Sequence, residues 1–339
     1  MRTKRSWLLF FAIIAMVALL FVGCKDDTEE PPEDSSEFGV VLAAVDNSLA
    51  NMSSTYKSSD LDSLINVGTP PQILSVRAST IFEVGHIPGA FNCGWKDVYD
   101  AANLTGINTT DELVVYCYTG HSGALATFCL NAMGYNSVNL KFGIMSWTKD
   151  TLVRGTSPFT EEAECIDQTT ETTIEDYSAD NALPIFDNTT SDDDAEIVRA
   201  AVEVYLTSDP APSSGIKAQD LYDNLNDGDT SDDPFILSVR AEDAYAIGHI
   251  PGAANIPWRE LASDTSVLKI LPTDRQIVVY CYTGHTGGLA TAALNLLGYD
   301  AINLKWGICS WTSDPDVRIA SPFSEDDYGD YDVETGPVF

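Results

Sequence analysis

Positive charge is what this sequence has least of. Over 339 residues, 18 Lys and Arg stand against 51 Asp and Glu, a formal net charge of −33. Binding a nucleic-acid backbone needs clustered cations, so no nucleic-acid partner is expected. Such a charge favours solubility and repels anions, so an anionic substrate would need a locally positive mouth. None of the seven cysteines stands in a Cys-x-x-Cys, which removes the thioredoxin-like and zinc-ribbon readings. No metal site and no cofactor is expected.

Large apolar residues are missing between Lys25 and Ser36, an acidic, Pro-containing stretch that reads as a solvated tether. The segment before it is the opposite. Met1 to Arg5 is basic and Ser6 to Gly23 is almost wholly apolar, the order of an export signal. Phe21-Val22-Gly23-Cys24 resembles a bacterial lipobox, with Cys24 the residue that would carry the lipid; the usual Leu is replaced by Phe21. An uncleaved membrane anchor is the other reading. Both put the globular part outside the cytoplasm, held to the membrane of the cell envelope.

The rest of the chain repeats itself. Pro71-Gln-Ile-Leu-Ser-Val-Arg-Ala78 returns as Pro234-Phe-Ile-Leu-Ser-Val-Arg-Ala241. Gly85-His-Ile-Pro-Gly-Ala90 returns from Gly248, Val114-Val-Tyr-Cys-Tyr-Thr-Gly-His121 from Val278, and Asn139-Leu-Lys-Phe-Gly143 as Asn303-Leu-Lys-Trp-Gly307. A repeat of this length is a duplicated domain rather than a solenoid unit. In each copy, short β-rich apolar runs (Ile73–Val76, Leu113–Tyr116, Val138–Leu140) alternate with a helical pattern over Gly123–Met133 that stops at Gly134. Strand, tight loop, helix and strand make a βαβ unit, hence an α/β fold with a central parallel sheet flanked by helices. The organisation is signal segment 1–23, tether 24–37, domain 38–160, acidic linker 161–193, domain 194–325 and acidic tail 326–339. Within the linker, Leu183-Pro184-Ile185-Phe186 is apolar enough to dock on a domain.

Chemistry is concentrated in two loops, Cys117-Tyr118-Thr119-Gly120-His121-Ser122-Gly123 and Cys281-Tyr282-Thr283-Gly284-His285-Thr286-Gly287. Each cysteine follows an apolar strand and precedes a helix, where free N–H groups and the positive helix end favour an anion such as a thiolate or persulfide. The glycines let the backbone curl. His121 and His285 are placed to add positive charge or to donate a hydrogen bond to substrate.

These pieces together resemble the rhodanese (sulfurtransferase) family: the strand ending in Val-Arg, the Gly-His-Ile-Pro-Gly-Ala segment, the strand Val-Val-Tyr-Cys, the loop Cys-x-x-Gly-x-(Ser/Thr), and the closing Leu-x-x-Gly with Trp. The resemblance covers about 38–160 and 194–325 and implies two tandem domains with Cys117 and Cys281 as nucleophiles. The cysteine would take the outer sulfur of a donor such as thiosulfate, polysulfide or a persulfide, release sulfite in the thiosulfate case, and pass the sulfur to a thiophilic acceptor. Partners would be small sulfur-containing anions or thiols. By analogy with two-domain members that have lost the first cysteine, Cys281 is the first choice.

Two departures stand out. Ser75 and Ser238 replace the Asp of the common Asp-Val-Arg, and Ser122 and Thr286 stand where many single-domain members have Arg. They leave room for a second reading, a non-catalytic module that binds sulfur species or an unidentified protein partner. Arg77, Arg240, Lys141 and Lys305 are the candidate anion contacts. His86 and His249 fit a tight turn. Trp95, Trp147, Trp258 and Trp311 read as core. Cys93, Cys129 and Cys309 align with Ile256, Ala293 and Met145 and read as buried apolar filler, with Cys165 in the linker.

Overall fold

The apolar runs fold as parallel strands. In a computed structural model of the chain, which describes residues 36–337 except 156, 157, 175, 176 and 179, the first sheet is built from β1 (Gln72–Ser75), β2 (Phe91–Asn92), β3 (Leu113–Tyr116) and β4 (Ser137–Asn139). Its order is β2-β1-β3-β4. The second repeats it with β5 (Phe235–Ser238), β6 (Ala254–Asn255), β7 (Ile277–Tyr280) and β8 (Ala301–Asn303) in the order β6-β5-β7-β8. All pairings are parallel. β3 and β7 are buried at every residue, as strands covered on both faces must be, and this is why they read as unbroken apolar runs. The proposed signal segment, Cys24 and the tether up to residue 35 lie outside the described residues.

Four longer helices set the relation between the halves: α1 (Glu37–Asn51), α2 (His121–Ala132), α3 (Asp194–Thr207) and α4 (His285–Leu296). The Ser36 hydroxyl caps α1 by accepting from Gly39 N, and Asp193 caps α3 by accepting from Glu196 N. Phe38, Val41, Val45 and Leu49 recur at helical spacing and form the buried face of α1. Burying each stabilises the fold by about 1.5–3 kcal/mol. α2 and α4, the helices that follow the two cysteine loops, pack on one another. They approach so closely that a Cβ on Gly288 would lie 2.8 Å from Ala124 Cβ. One apolar core accordingly runs unbroken from one half into the other.

The acidic linker and tail each dock on the half they do not follow. After the first half, Ile166 N donates to Ser310 O (3.0 Å), Gln168 N to Trp311 O (2.7 Å), and Glu171 pairs with His249 in an antiparallel bridge. After the second half, Gly329 N donates to Ser146 O (2.8 Å), Tyr331 N to Trp147 O (2.9 Å), and Glu334 pairs with His86. The indole of Trp311 donates to Thr169 O (3.0 Å) and that of Trp147 to Asp332 O (2.8 Å). Glu171 accepts from Gly252 N and Glu334 from Gly89 N, so each Gly-His-Ile-Pro-Gly turn is closed by a carboxylate from the opposite half's strap. Residues 166–171 are thus hydrogen-bonded to the second half and 329–336 to the first. Further along the linker, Leu183 and Phe186 pack on the shared core, with Phe186 against Phe38.

Candidate active site

Cys117 and Cys281 sit at the C-terminal ends of β3 and β7, where loops in a parallel α/β sheet converge. Gly120 N donates to Cys117 Sγ at 3.1 Å, and Gly284 N donates to Cys281 Sγ at 3.1 Å. These glycines cap α2 and α4 in the left-handed region, with φ of 90° and 85°. A side chain there is excluded twice, since a Cβ at Gly120 would also meet His285 Nε2 at 2.5 Å. Asn139 and Asn303 hold the loops by donating from Nδ2 to Gly120 O (2.9 Å) and Gly284 O (3.0 Å). Gly123 and Gly287 leave room for these amides, because a Cβ on either would lie 2.6 Å from the Asn Oδ1. Beneath the first loop, Ile144 N and Met145 N donate to Cys117 O and Tyr118 O. The residues just after Lys-Phe-Gly therefore support their own cysteine loop, as Ile308 N and Cys309 N do for Cys281 O and Tyr282 O.

The histidines do something other than the sequence suggests. Their rings lie between the two halves, 5.8 Å apart. Phe142 N donates to His285 Nε2 at 2.9 Å, and Trp306 N reaches His121 Nε2 at 3.4 Å. In His285 an accepting Nε2 leaves the proton on Nδ1, which donates to Thr283 Oγ1 (3.0 Å); in His121, Nε2 lies 3.4 Å from both Trp306 N and Thr283 O, and Nδ1 is 3.2 Å from Thr119 Oγ1. Burial pushes the pKa of His121 down to about 4, with Lys305 adding to the effect and the Thr283 carbonyl opposing it. Burial, His121 and Lys141 lower that of His285. Both rings are held neutral where the halves meet, so neither supplies an imidazolium to its cysteine.

The arginines also leave the list of anion contacts. Arg77 and Arg240 are 1% and 0% exposed. Arg77 donates to Val153 O and Gly85 O, both at 2.7 Å, and its Nε reaches Ser75 Oγ at 3.3 Å. Arg240 donates to Val317 O and Gly248 O. Tyr116 and Tyr118 flank the first guanidinium, and Tyr280 and Tyr282 the second. With Ser in place of Asp, the carbonyls and aromatic faces hold the charge, and among the described residues no carboxylate pairs with it. These arginines brace the loops behind the site.

The cations that do face a cysteine come from the opposite half. Cys117, Tyr118, Thr119, His121 and Ser122 line a cleft of about 400 Å³ together with Gly155, Glu164 and, from the second half, Ser214, Lys217, Lys305 and Trp306. Lys305 thus shares a cleft with the cysteine of the opposite half. The corresponding Lys141 lines a cleft of about 370 Å³ with Lys57, Asp326, Asp327 and Tyr328. Lys217 was not singled out from the sequence, although the signal exists. Lys57 and Lys217 each stand at the start of a short helix in matched places, and cations kept in both copies are few in so acidic a chain. Among the remaining cysteines, burial pushes Cys93 and Cys309 up to about 12 and raises Cys129 as well, as befits packed thiols. His86 and His249 stack on Phe82 and Tyr245 and are structural, and no group of three metal-ligating side chains occurs among the described residues.

Comparison with known proteins places this geometry. The chain matches the family described as Rhodanese-like domain twice, over residues 58–150 and 217–314. It is 36% identical over 102 residues to a probable adenylyltransferase/sulfurtransferase MoeZ of Mycobacterium tuberculosis, covering 30% of this chain and 25% of that one. A putative thiosulfate sulfurtransferase of Haloferax volcanii is 24% identical over 291 residues, 77% of this chain and 91% of its own. Among the first curated relatives it matches, the chain spans about a quarter of their length. A solved thiosulfate sulfurtransferase from Pseudomonas aeruginosa aligns over 88% of this chain and 70% of its own at 16% identity, with a TM-score of 0.27.

Proposed function

Since the chain belongs to the rhodanese-like domain family, with two such domains in tandem, we propose that it is a sulfurtransferase that carries sulfane sulfur as a persulfide on Cys117, and on Cys281 in the second domain. The observation that carries this reading is the Gly120 N–H held 3.1 Å from Cys117 Sγ at the N-terminus of α2, inside a cleft with two lysines. A backbone donor and a helix end stabilise a sulfur anion without a proton donor that would quench it. Lys217 and Lys305 answer the charge problem, giving a chain of net charge −33 a positive mouth for an anion such as thiosulfate.

The reaction has two halves. The Cys117 thiolate attacks the outer sulfur of thiosulfate; the S–S bond breaks and its electron pair leaves on sulfite. The terminal sulfur of the resulting persulfide is then attacked by a thiolate or cyanide, and the pair from the second S–S cleavage restores the Cys117 thiolate. The loop amide stabilises both sulfur anions as an oxyanion hole stabilises an alkoxide. Intact-protein mass after thiosulfate treatment tests this, with C117A and C281A for comparison. The expected result is a gain of one sulfur atom per reactive cysteine, lost in the matching variant, with stoichiometric sulfite. A chain that gains no sulfur and yields no sulfite returns the protein to the non-catalytic reading.

A further inference from the structure

Two cysteines outside the loops are brought together by the exchanged strap. Cys165, half-buried, ends the short helix Glu161–Glu164. Cys309 lies behind the second cysteine loop, its N–H donating to Tyr282 O at 3.3 Å. The strap docks alongside it, with Ile166 N on Ser310 O at 3.0 Å. A single guanidinium nitrogen, Arg318 Nη2, donates to Cys165 Sγ at 3.2 Å and to Cys309 O at 2.8 Å. Cys165 also packs against the apolar cluster that contains Cys309. Both thiols are free.

The other half shows what the same place looks like without thiols. Gly329 and Tyr331 bond Ser146 and Trp147 as Ile166 and Gln168 bond Ser310 and Trp311. In that register Tyr328 takes the place of Cys165, and it accepts from Arg154, the counterpart of Arg318. Met145 takes the place of Cys309 and lies in the same cluster that Tyr328 packs against. Tyrosine and methionine satisfy the packing in one half. In the other, both positions are cysteine, 144 residues apart in sequence, and one Arg318 nitrogen bonds the thiol of the first and the backbone of the second.

We propose that Cys165 and Cys309 are a redox pair that closes to a reversible disulfide by exchange with an external disulfide. Cys165, the more exposed thiol, attacks first as its thiolate; burial raises its pKa, and the Arg318 guanidinium, itself paired with Glu161, opposes that rise. The external S–S bond breaks, one thiol leaves with the proton from Cys165, and a mixed disulfide remains. Cys309 then attacks the Cys165 sulfur and expels the second thiol, which takes its proton. The external disulfide is reduced by two electrons and the pair is oxidised by two. The bond ties the strap, whose Glu164 lines the Cys117 cleft, to the base of the Cys281 loop. It needs no persulfide chemistry at either loop.

The test uses the full chain in detergent, with oxidised glutathione as the oxidant, in the native sequence and in a C117A/C281A background. Remaining thiols are blocked with N-ethylmaleimide and the protein is mapped by mass spectrometry without reduction. The expected product is a Cys165–Cys309 cross-linked peptide that dithiothreitol reverses and that is absent in C165S and C309M. The latter carries the residue the other half uses, which guards the fold. The oxidised chain should also melt higher than the reduced chain, and C165S should abolish the difference. The proposal is overturned if Cys165 stays free, retains glutathione while Cys309 is alkylated on unfolding, or links to any other cysteine.

Discussion

At the scale of single residues, the two buried histidines tie stability to pH. Each is neutral in the fold and free to protonate once unfolded, so unfolding takes up a proton between the folded pKa and the ordinary value near 6.5. For His121 the folded value is about 4. Stability is therefore complete above about pH 6.5 and falls as pH drops toward 4, by on the order of 3 kcal/mol for this residue. His285 acts in the same direction. Thermal melts from pH 7.5 to 4.5 should show the decline, and His121→Gln should make it shallower; a flat profile in the native chain would remove the histidines from this account. Arg77 makes a separate prediction. Arg77→Met leaves Gly85 O and Val153 O without their donors, at a cost of roughly 2–4 kcal/mol in urea unfolding. Because the guanidinium does not line the Cys117 cleft, the KM of the proposed thiosulfate reaction should stay near its native value in the folded fraction. Lys305→Ala should do the reverse, raising that KM several-fold with little loss of stability.

Among elements, the critical contact is the crossing of α2 and α4. Gly288 faces Ala124 there, and an added methyl lands 2.8 Å from its counterpart. Gly288→Ala should destabilise by about 1–3 kcal/mol through overpacking, and adding Ala124→Gly should recover most of the loss. Failure of the second change to help would mean that the crossing relaxes instead. This contact also marks what a sequence discloses. β3, β7 and the cysteine loops were legible because a buried parallel strand and its Gly-bearing turn leave a local pattern. The helix Gly123–Met133 was legible within two residues at its start, where His121 already turns. β2 and β6, two residues each, carry no periodicity and were missed. The docking of the straps was not legible because Asp-, Glu- and Thr-rich composition says little about backbone pairing, which here joins 166–171 and 329–334 to the opposite half. The histidines and arginines were misread for a related reason. Residue type and spacing locate a charged side chain near a nucleophile, but only the opposite half decides whether it is buried, neutralised or left facing the cleft.

For the molecule as a whole, the exchanged straps make each domain depend on the end of the other. The first domain's turn at Gly85–Ala90 is closed by Glu334, through a two-way backbone pairing with His86 (2.9 Å each way) and a bond from Gly89 N (2.9 Å). Trp147 is tied in by Asp332 O and by Tyr331, whose ring lies 4.8 Å from its own. None of these contacts is local: nearly 250 residues separate His86 from Glu334. Stopping the chain after Asp327 therefore removes support from the first domain, although the cut is made at the end of the second. At about 0.5–1.5 kcal/mol for each hydrogen bond lost, the damage should amount to a few kcal/mol. Hydrogen exchange should locate it, rising at 85–90 and around Trp147 while 248–253, still held by Glu171, stays protected. The converse variant, Glu171→Ala, should loosen 248–253 and spare 85–90. If both changes instead loosen the domain they are nearest in sequence, the exchange seen in the backbone pairing does not stabilise the fold. If the crossed pattern appears, the two halves are one cooperative unit, and the sulfur transfer proposed for Cys117 requires an intact second half, because Lys217, Lys305 and Trp306 complete its cleft.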